Sequence, residues 1–276
     1  MLKNITIGQF LPGDSFIHRL DPRMKVFLTV LLITSVLLSD SPAAYIFVII
    51  FISICFISSK IPFSFLFRPL KALIPLVIFT MILNLFFISG KEPLLSFYFI
   101  KIYKEGIIIS VTMIVRIFCL IASGSLLTYT TSPISLTDAI EQILSPLKVI
   151  RFPSHELAMM MSIALRFIPT LMEETEKIIS AQKARGADFE TGGLIRRAKS
   201  LIPIFIPLFV SAFRRADELA LAMTCRCYTG GEGRSRLRVL KYGYRDLLGL
   251  LGMSAATAAV VLLNWVSSSG MLNIAL

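Results

Sequence analysis

The chain has 276 residues, of which 55% are hydrophobic, and its mean hydropathy is +0.79. This composition excludes an ordinary soluble domain, which carries more charge and less apolar surface, and indicates a polytopic membrane protein. The formal net charge of +11 becomes informative only through the placement of the basic residues along the chain.

Five apolar runs approach the length of a membrane span, which needs about 20 residues to cross ~30 Å of hydrocarbon. They lie at about 24–39, 43–59, 72–89, 106–130 and 247–266. Only Asp40-Ser-Pro42 separates the first two runs, which predicts a tight helical hairpin. Between the third and fourth runs, a short apolar patch at Leu94–Ile100 predicts an external loop or a pair of strands. We therefore expect an all-α membrane protein with about five transmembrane helices.

The basic residues of the loops predict the orientation, because loops on the cytoplasmic side carry an excess of lysine and arginine. Such residues flank the first run and separate the second run from the third. The amino terminus is therefore predicted to lie inside, as is the segment 131–246 that follows the fourth run. This segment holds 17 of the 28 basic and 12 of the 17 acidic residues, a density of charge that would be costly in lipid.

Three domains are expected from this pattern. Residues 1–130 hold a polar N-terminal segment and the first four transmembrane helices. Residues 131–246 form a helical domain on the inner side, and residues 247–276 hold the last span and an external carboxyl terminus.

The inner segment has the pattern of three helices. They are predicted at Leu136–Val149 with Ser135 as N-cap, from Ser154 as N-cap to Arg185 with Gly186 as the stop, and from about Ile202 to Tyr228 after a basic linker at 192–199. The second and third of these are long. Alanine recurs every fourth residue in the third helix, at Ala212, Ala216 and Ala220, and Ala158 and Ser162 have the same spacing in the second. Such spacing favours two helices that cross closely, although the same residues could simply be good helix formers.

Both long helices carry a Phe-Ile-Pro triplet, at Phe167–Pro169 and Phe205–Pro207, and both end in an arginine among small residues. The endings are Ala184-Arg185-Gly186 and Cys225-Arg226-Cys227. Arginine presents a planar fork of donors that matches a carboxylate or several carbonyls, and small neighbours allow it to enter a groove. The helix dipole also favours a cation at a C-terminus, which explains one such arginine better than two. Two matched arginines indicate helices that a soluble partner can grip.

No motif for catalysis or for a cofactor is evident. A phosphate-binding loop would need a lysine followed by serine or threonine, but Gly90-Lys91 is followed by Glu92. The two histidines, His18 and His155, lie in polar local sequence, which favours surface or capping roles. Scattered cysteines at positions 55, 119, 225 and 227 predict free thiols rather than a metal site. We expect no resident metal or cofactor, and any ATP to be bound by another subunit.

Arg116 lies inside the fourth apolar run. An intramembrane arginine often marks a functional site, so it could belong to a substrate pathway. It could equally have a structural role and bond to a neighbouring helix.

At these residues the chain resembles the transmembrane T-component of energy-coupling factor (ECF) transporters, also called the CbiQ-like family, over nearly its whole length. The segment Pro12-Gly-Asp-Ser-Phe-Ile-His-Arg-Leu-Asp-Pro-Arg-Met-Lys25 is similar to the opening signature of that family. The family has two coupling helices that end in Ala-Arg-Gly-like triplets. Ala184-Arg185-Gly186 matches the first triplet, whereas Cys225-Arg226-Cys227 matches the second only in its arginine. Thiol side chains are still small, so the steric argument applies to both endings.

The resemblance implies a non-catalytic scaffold of a micronutrient importer in the cell membrane, with a cytoplasmic-side coupling domain of long crossed helices. Two ABC-type ATPase subunits are the implied soluble partners, each receiving one tip, so that the implied contact residues are Ala184, Arg185, Gly186, Cys225, Arg226 and Cys227. The other implied partners are a substrate-binding S-component for a vitamin or a transition-metal ion and the lipid bilayer, and no nucleic acid is expected.

Two other classes of function compete with this interpretation. A self-contained secondary carrier or channel would need a polar pathway, and apart from Arg116 and Asn84 the spans offer few polar residues beyond serine and threonine. A membrane enzyme would need an acid–base constellation, and the sequence supplies none.

Overall fold

The computed structural model describes residues 10–62, 64–88, 93–97, 100–146, 153–189, 193–230 and 240–269. The chain divides into two compact units. The membrane unit comprises Gln9–Ser132 and Leu240–Leu276, and the long-helix unit comprises Pro133–Val239. Helices dominate both units, which confirms the predicted all-α membrane fold class.

In chain order the described elements are α1 (Pro22–Leu37), α2 (Pro42–Ser59), α3 (Ser64–Phe87), β1 (Pro93–Phe97), β2 (Ile100–Tyr103), α4 (Lys104–Thr130), α5 (Pro133–Leu144), α6 (Ser154–Ala184), α7 (Leu194–Cys225) and α8 (Tyr244–Ser268). Among the described residues, four helices are long and apolar enough to cross a membrane, namely α2, α3, α4 and α8. The first apolar run forms α1, whose 16 residues extend only about 24 Å at 1.5 Å per residue. The number of full-length spans therefore differs from the predicted five. The strands β1 and β2 pair in antiparallel fashion between α3 and α4, where a loop or a strand pair was expected.

The core of the membrane unit lies between α1, α2, α4 and α8. Its fully buried side chains include Val36, Val48, Phe56, Cys119 and Val260. Large apolar side chains on the opposite faces of α2, α3 and α8 are exposed, as a hydrocarbon environment requires. Exposed apolar surface on this scale marks contact with lipid or with another membrane protein.

We call the end where α1, α3 and α8 begin and α2 and α4 end the basic end of the membrane unit. At this end Asp21 caps α1, and its carboxylate accepts hydrogen bonds from the main chain and the guanidinium of Arg23 at 2.9–3.1 Å. The main-chain N–H of Asp21 donates to Asp246 of α8 at 2.8 Å, and Arg23 also donates to the carbonyl of Leu240. These bonds fasten the start of α1 to the start of α8.

Lys25 and His18 make further hydrogen bonds at the basic end. The Lys25 ammonium is buried and donates to the carbonyl oxygens of His18 at 2.9 Å and Thr130 at 2.8 Å. Thr130 is the last residue of α4, where the helix dipole favours a cation. The His18 ring contacts the Leu11 carbonyl through Nε2 and the Ser15 hydroxyl through Nδ1. Since a carbonyl only accepts, Nε2 carries the proton.

Arg116 fastens the opposite end, where α1 turns into α2. Its guanidinium donates to the hydroxyl of Tyr45 at 2.8 Å and to the carbonyl of Ser39 at 3.2 Å, and it lies 3.6 Å from the Asp40 carboxylate. Of the two roles left open by the sequence, these contacts favour the structural one, because the arginine ties α4 to the α1–α2 turn. The Asn264 side chain of α8 also bonds to this turn.

In the long-helix unit, α5 packs against α6 and α6 packs against α7. The three predicted helices are present, but the starts of all three differ from the prediction. Helix α5 begins at Pro133 rather than 136, so Ser135 lies within it, since proline suits the first position of a helix. Helix α6 does begin at Ser154, but its N-cap residue is Pro153, so the prediction of Ser154 as N-cap is wrong.

Helix α7 begins at Leu194, so most of the predicted basic linker is its first two turns. Residues 194–201 are mainly strong helix formers without glycine or proline, and Pro203 does not end the helix. Helices α6 and α7 pack against each other, but their close crossing at the small residues stays a prediction, because a gap lies beside these alanines. Ala212 and Ala216 face Phe167 of α6 across a gap of about 260 Å³.

Candidate functional site

The first arginine tip is the C-terminus of α6. Arg185 is the C-cap residue, and Gly186 follows in the left-handed region at φ +84°. The main-chain N–H of Gly186 donates to the carbonyl of Lys183, and that of Ala187 donates to the carbonyl of Gln182, both at 3.0 Å. This pair of bonds is a Schellman motif, which satisfies the last carbonyls of the helix and turns the chain away.

The second tip, at the C-terminus of α7, has the same backbone. Arg226 is the C-cap residue, and Cys227 takes the left-handed conformation at φ +56°. Its N–H donates to the carbonyl of Thr224 at 2.9 Å, and that of Tyr228 donates to the carbonyl of Met223 at 3.1 Å. A residue other than glycine at this position is strained, yet the bonds match those of the first tip one for one. The two arginines are therefore equivalent in backbone geometry.

All six residues of the two tips are exposed, including both cysteines. The guanidinium groups of Arg185 and Arg226 thus end two helices of 31 and 32 residues on solvent-accessible turns. Small side chains flank both arginines, so a groove could admit either tip.

A contact between the two helices lies at the same distance from each tip. Arg215 of α7 donates to Glu174 of α6 at 3.0 Å, and both side chains are partly exposed. Glu174 lies eleven residues before Arg185, and Arg215 lies eleven residues before Arg226. Each arm is therefore about 16 Å long at 1.5 Å per residue. Sequence reasoning missed this ion pair, although the equal offsets of an acid and a base from two matched arginines are a signal that could reveal it.

The Glu174 carboxylate is held in its charged form. Hydrogen bonds from the Ser211 hydroxyl, the largest effect, and from Arg215 lower its pKa below the usual value. Two residues of α7 therefore bind one carboxylate of α6 at this contact. We call this contact the joint between α6 and α7.

The remaining candidates from the sequence have local structural roles. His18 bonds within the N-terminal segment, and His155 of α6 contacts Glu141 of α5 at 2.9 Å. The four cysteines are free thiols. No group of three or more potential metal ligands occurs in the described part of the chain.

Exposed apolar side chains form a strip along α7 between residues 202 and 213. Its large side chains are exposed and include a stacked ring pair whose centroids lie 6.2 Å apart, Phe209 and Phe213. The other exposed members are Ile202, Phe205, Ile206 and Val210. These residues recur every three or four positions and so share one face of the helix, and an exposed apolar face of this kind fits an apolar partner.

Comparison with known proteins agrees with this architecture. Residues 13–237 match the CbiQ family model, described as cobalt transport protein. An energy-coupling factor transporter transmembrane protein EcfT from Clostridium kluyveri is 52% identical over 252 residues, which cover 91% of this chain and 93% of the relative. Proteins of the same name from Ruminiclostridium cellulolyticum and Acidaminococcus fermentans are 50% and 49% identical, each covering 96% of this chain and 97% and 98% of the relative. With such identity over nearly its full length, the chain belongs to the CbiQ/EcfT family of transmembrane components of energy-coupling factor transporters.

Proposed function

We propose that this chain is the scaffold through which two cytoplasmic ATPase subunits move a substrate-binding S-component of an ECF transporter, for uptake of a vitamin or a transition-metal ion. The observation that carries the proposal is the pair of equivalent arginine tips. Two exposed guanidinium groups on identical backbone turns offer the same handle twice, as a pair of similar ATPase subunits requires.

Each tip is suited to a groove lined by acceptors. Arg185 and Arg226 can bind a carboxylate bidentately, and their neighbours Ala184, Gly186, Cys225 and Cys227 leave room for the groove walls. The last helical carbonyls are already satisfied within each Schellman motif. The carbonyls of Gln182, Lys183, Met223 and Thr224 therefore need no donor from the partner.

Movement would pass from the tips through the joint between Glu174 and Arg215. The joint lies about 16 Å along the helix from each arginine. The two segments between the joint and the tips are therefore equal in length, and a displacement of either tip would be transmitted to the joint over the same distance. The gap beside Ala216 leaves the helices unpacked on one side of the contact. We propose that ATP-driven closure of the partners changes the relative position of α6 and α7 there.

The apolar strip of α7 is the proposed seat of the S-component. Its exposed phenylalanines offer apolar area that an intramembrane partner can bury. ATP hydrolysis itself is assigned to the ATPase subunits. In this arrangement the amino terminus and the long-helix unit lie on the cytoplasmic side of the cell membrane.

Co-purification of the ATPase subunits with the tagged chain tests the proposal. We expect Arg185→Ala and Arg226→Ala each to weaken attachment of one subunit by about 2–5 kcal/mol, since a buried charge pair would lose one partner. Arg197→Ala, an exposed arginine on the first turn of α7, is the matched control and should leave recovery unchanged. Full recovery of both subunits with the double tip variant would reject the role of the tips.

A further inference from the structure

A cavity of about 250 Å³ lies at the basic end of the membrane unit, between α1, α2, α4, α8 and the segment before α1. Its walls are almost entirely apolar, with Leu28, Phe51 and Met253 among the lining side chains. Ile54 and Leu248 also line it, and each is about half exposed on the outer surface of its helix. The cavity therefore opens toward the surface that lipid covers, and its volume lies below the ~300–1,000 Å³ of a drug-sized site.

One charged group reaches this cavity. Lys25 lines it and is only 6% exposed. Its ammonium has three donors, and the structure gives two of them to the carbonyls of His18 and Thr130. The two nearest carboxylates have other partners, because Asp21 binds Arg23 and Asp246 accepts from main-chain amides. The polar end of the cavity is therefore cationic.

Further cations flank the same end. Lys60 follows the lining residue Ser58 by two positions and is exposed. Arg245 precedes the lining residue Leu248 by one helical turn, is half-buried and donates to the Tyr244 hydroxyl at 3.2 Å. In the described segments at this end, the basic residues are Arg19, Arg23, Lys25, Lys60, Arg68, Lys71, Lys241 and Arg245, against the acidic residues Asp14, Asp21 and Asp246. An apolar cavity with basic residues at its interfacial end complements a lipid with an anionic headgroup.

We propose that this cavity binds one acyl chain of an anionic phospholipid from the adjacent leaflet, with the phosphate held by Lys60 and Arg245. The hydrocarbon of the bilayer surrounds this unit and is therefore the apolar ligand at hand. An acyl chain in the cavity would exclude solvent from the Lys25 ammonium. Two glycines of α8 keep the space open. A Cβ at Gly249 would lie 3.3 Å from Leu28, whereas a Cβ at Gly252 would meet no atom within 4 Å. A larger side chain at Gly252 would therefore occupy the space of the lipid chain.

Native mass spectrometry of the purified full chain, titrated with phosphatidylglycerol or phosphatidylcholine, measures this binding. We expect one phosphatidylglycerol to bind about 30-fold more tightly than phosphatidylcholine, since two cations each contribute about five- to sixfold. Gly252→Leu should lower phosphatidylglycerol affinity at least tenfold, whereas Gly252→Ala, the matched control, should retain it. The double variant Lys60→Gln/Arg245→Gln should bind both lipids equally.

Unchanged phosphatidylglycerol binding by Gly252→Leu would overturn the assignment of the lipid acyl chain to the cavity. Equal affinity of the wild type for the two lipids would overturn the anionic headgroup. A second readout needs no variant, because Cys55 lines the cavity and Cys225 lies on an exposed tip. Phosphatidylglycerol should slow maleimide labelling of Cys55 but not of Cys225, and the absence of this protection would also refute the proposal.

Discussion

The two tips share one backbone but differ in the residue that adopts the left-handed conformation, and this difference predicts opposite effects of two substitutions. Gly186→Ala should destabilise the end of α6, and Cys227→Gly should stabilise the end of α7. At Gly186 a Cβ would meet no atom within 4 Å, so steric contacts with neighbours contribute nothing and the backbone conformation alone sets the effect.

The magnitude follows from two opposing terms. The left-handed conformation costs a non-glycine residue about 1–2 kcal/mol. Glycine loses more freedom on folding, which offsets about 0.4–1 kcal/mol of that difference. The net change is therefore about 0.5–1 kcal/mol in each direction, or about a two- to fivefold change in the local opening equilibrium.

Amide hydrogen exchange of the full chain in detergent measures this opening for each terminus separately. We expect faster exchange at residues 185–187 in Gly186→Ala and slower exchange at residues 226–228 in Cys227→Gly. Gly124→Ala, within α4, is the control, because alanine in a helix interior should protect its surroundings rather than expose them. Faster or unchanged exchange in Cys227→Gly would refute the equivalence of the two turns.

Three further predictions concern the polar contacts that hold the helices and the N-terminal segment in place. A double-mutant cycle of Glu174→Gln and Arg215→Gln should give a coupling of about 0.2–1 kcal/mol in thermal unfolding, as partly exposed ion pairs do. Arg116→Met should lower the unfolding midpoint, because the buried Ser39 carbonyl and the Tyr45 hydroxyl lose a donor. Burial lowers the pKa of His18, so folding stability should be complete above about pH 6.5 and fall as the pH drops below that value, as thermal unfolding between pH 5 and 8 measures.

Each of these has a distinct contrary result. Additive effects at Glu174 and Arg215 would show that the joint carries no coupling. If the Arg116→Met protein were as stable as the wild type, the contacts of Arg116 would not stabilise the α1–α2 turn. In the pH series, His18→Gln is the control, and an equal slope in both proteins would assign the titration to another group.

The hydropathy of the chain predicted most of the membrane unit, because long apolar runs have few alternatives to spanning helices. The run at 72–89 and its neighbour at 106–130 became α3 and α4 with a strand pair between them. The predictions failed at helix starts and in the number of full-length spans. Ser135 and Ser154 have the chemistry of N-caps, but Pro133 and Pro153 lie nearby and fix the starts instead.

The sequence predicted which residues form the two arginine tips but not their backbone geometry, and the role of the tips in binding a partner stays a prediction. The sequence indicates that α6 ends at Arg185, because the glycine that follows readily adopts the left-handed conformation. The same turn at Cys227 requires a conformation that cysteine rarely adopts. The joint between Glu174 and Arg215 links residues 41 positions apart, and the partners of Arg116 lie more than 70 positions away. Such pairs depend on tertiary packing, which no local pattern encodes.

The bond between Asp21 and Asp246 joins residues 225 positions apart, and this has a consequence for biogenesis. The ribosome releases α1 long before α8 emerges, so the bonds between the starts of these two helices cannot form until the entire long-helix unit has been synthesised. A chain truncated before Asp246 would keep both arginine tips yet lack the closing helix. Quality-control proteases should therefore recognise such fragments as unfinished, and accumulation of the subunit should depend on its last helix.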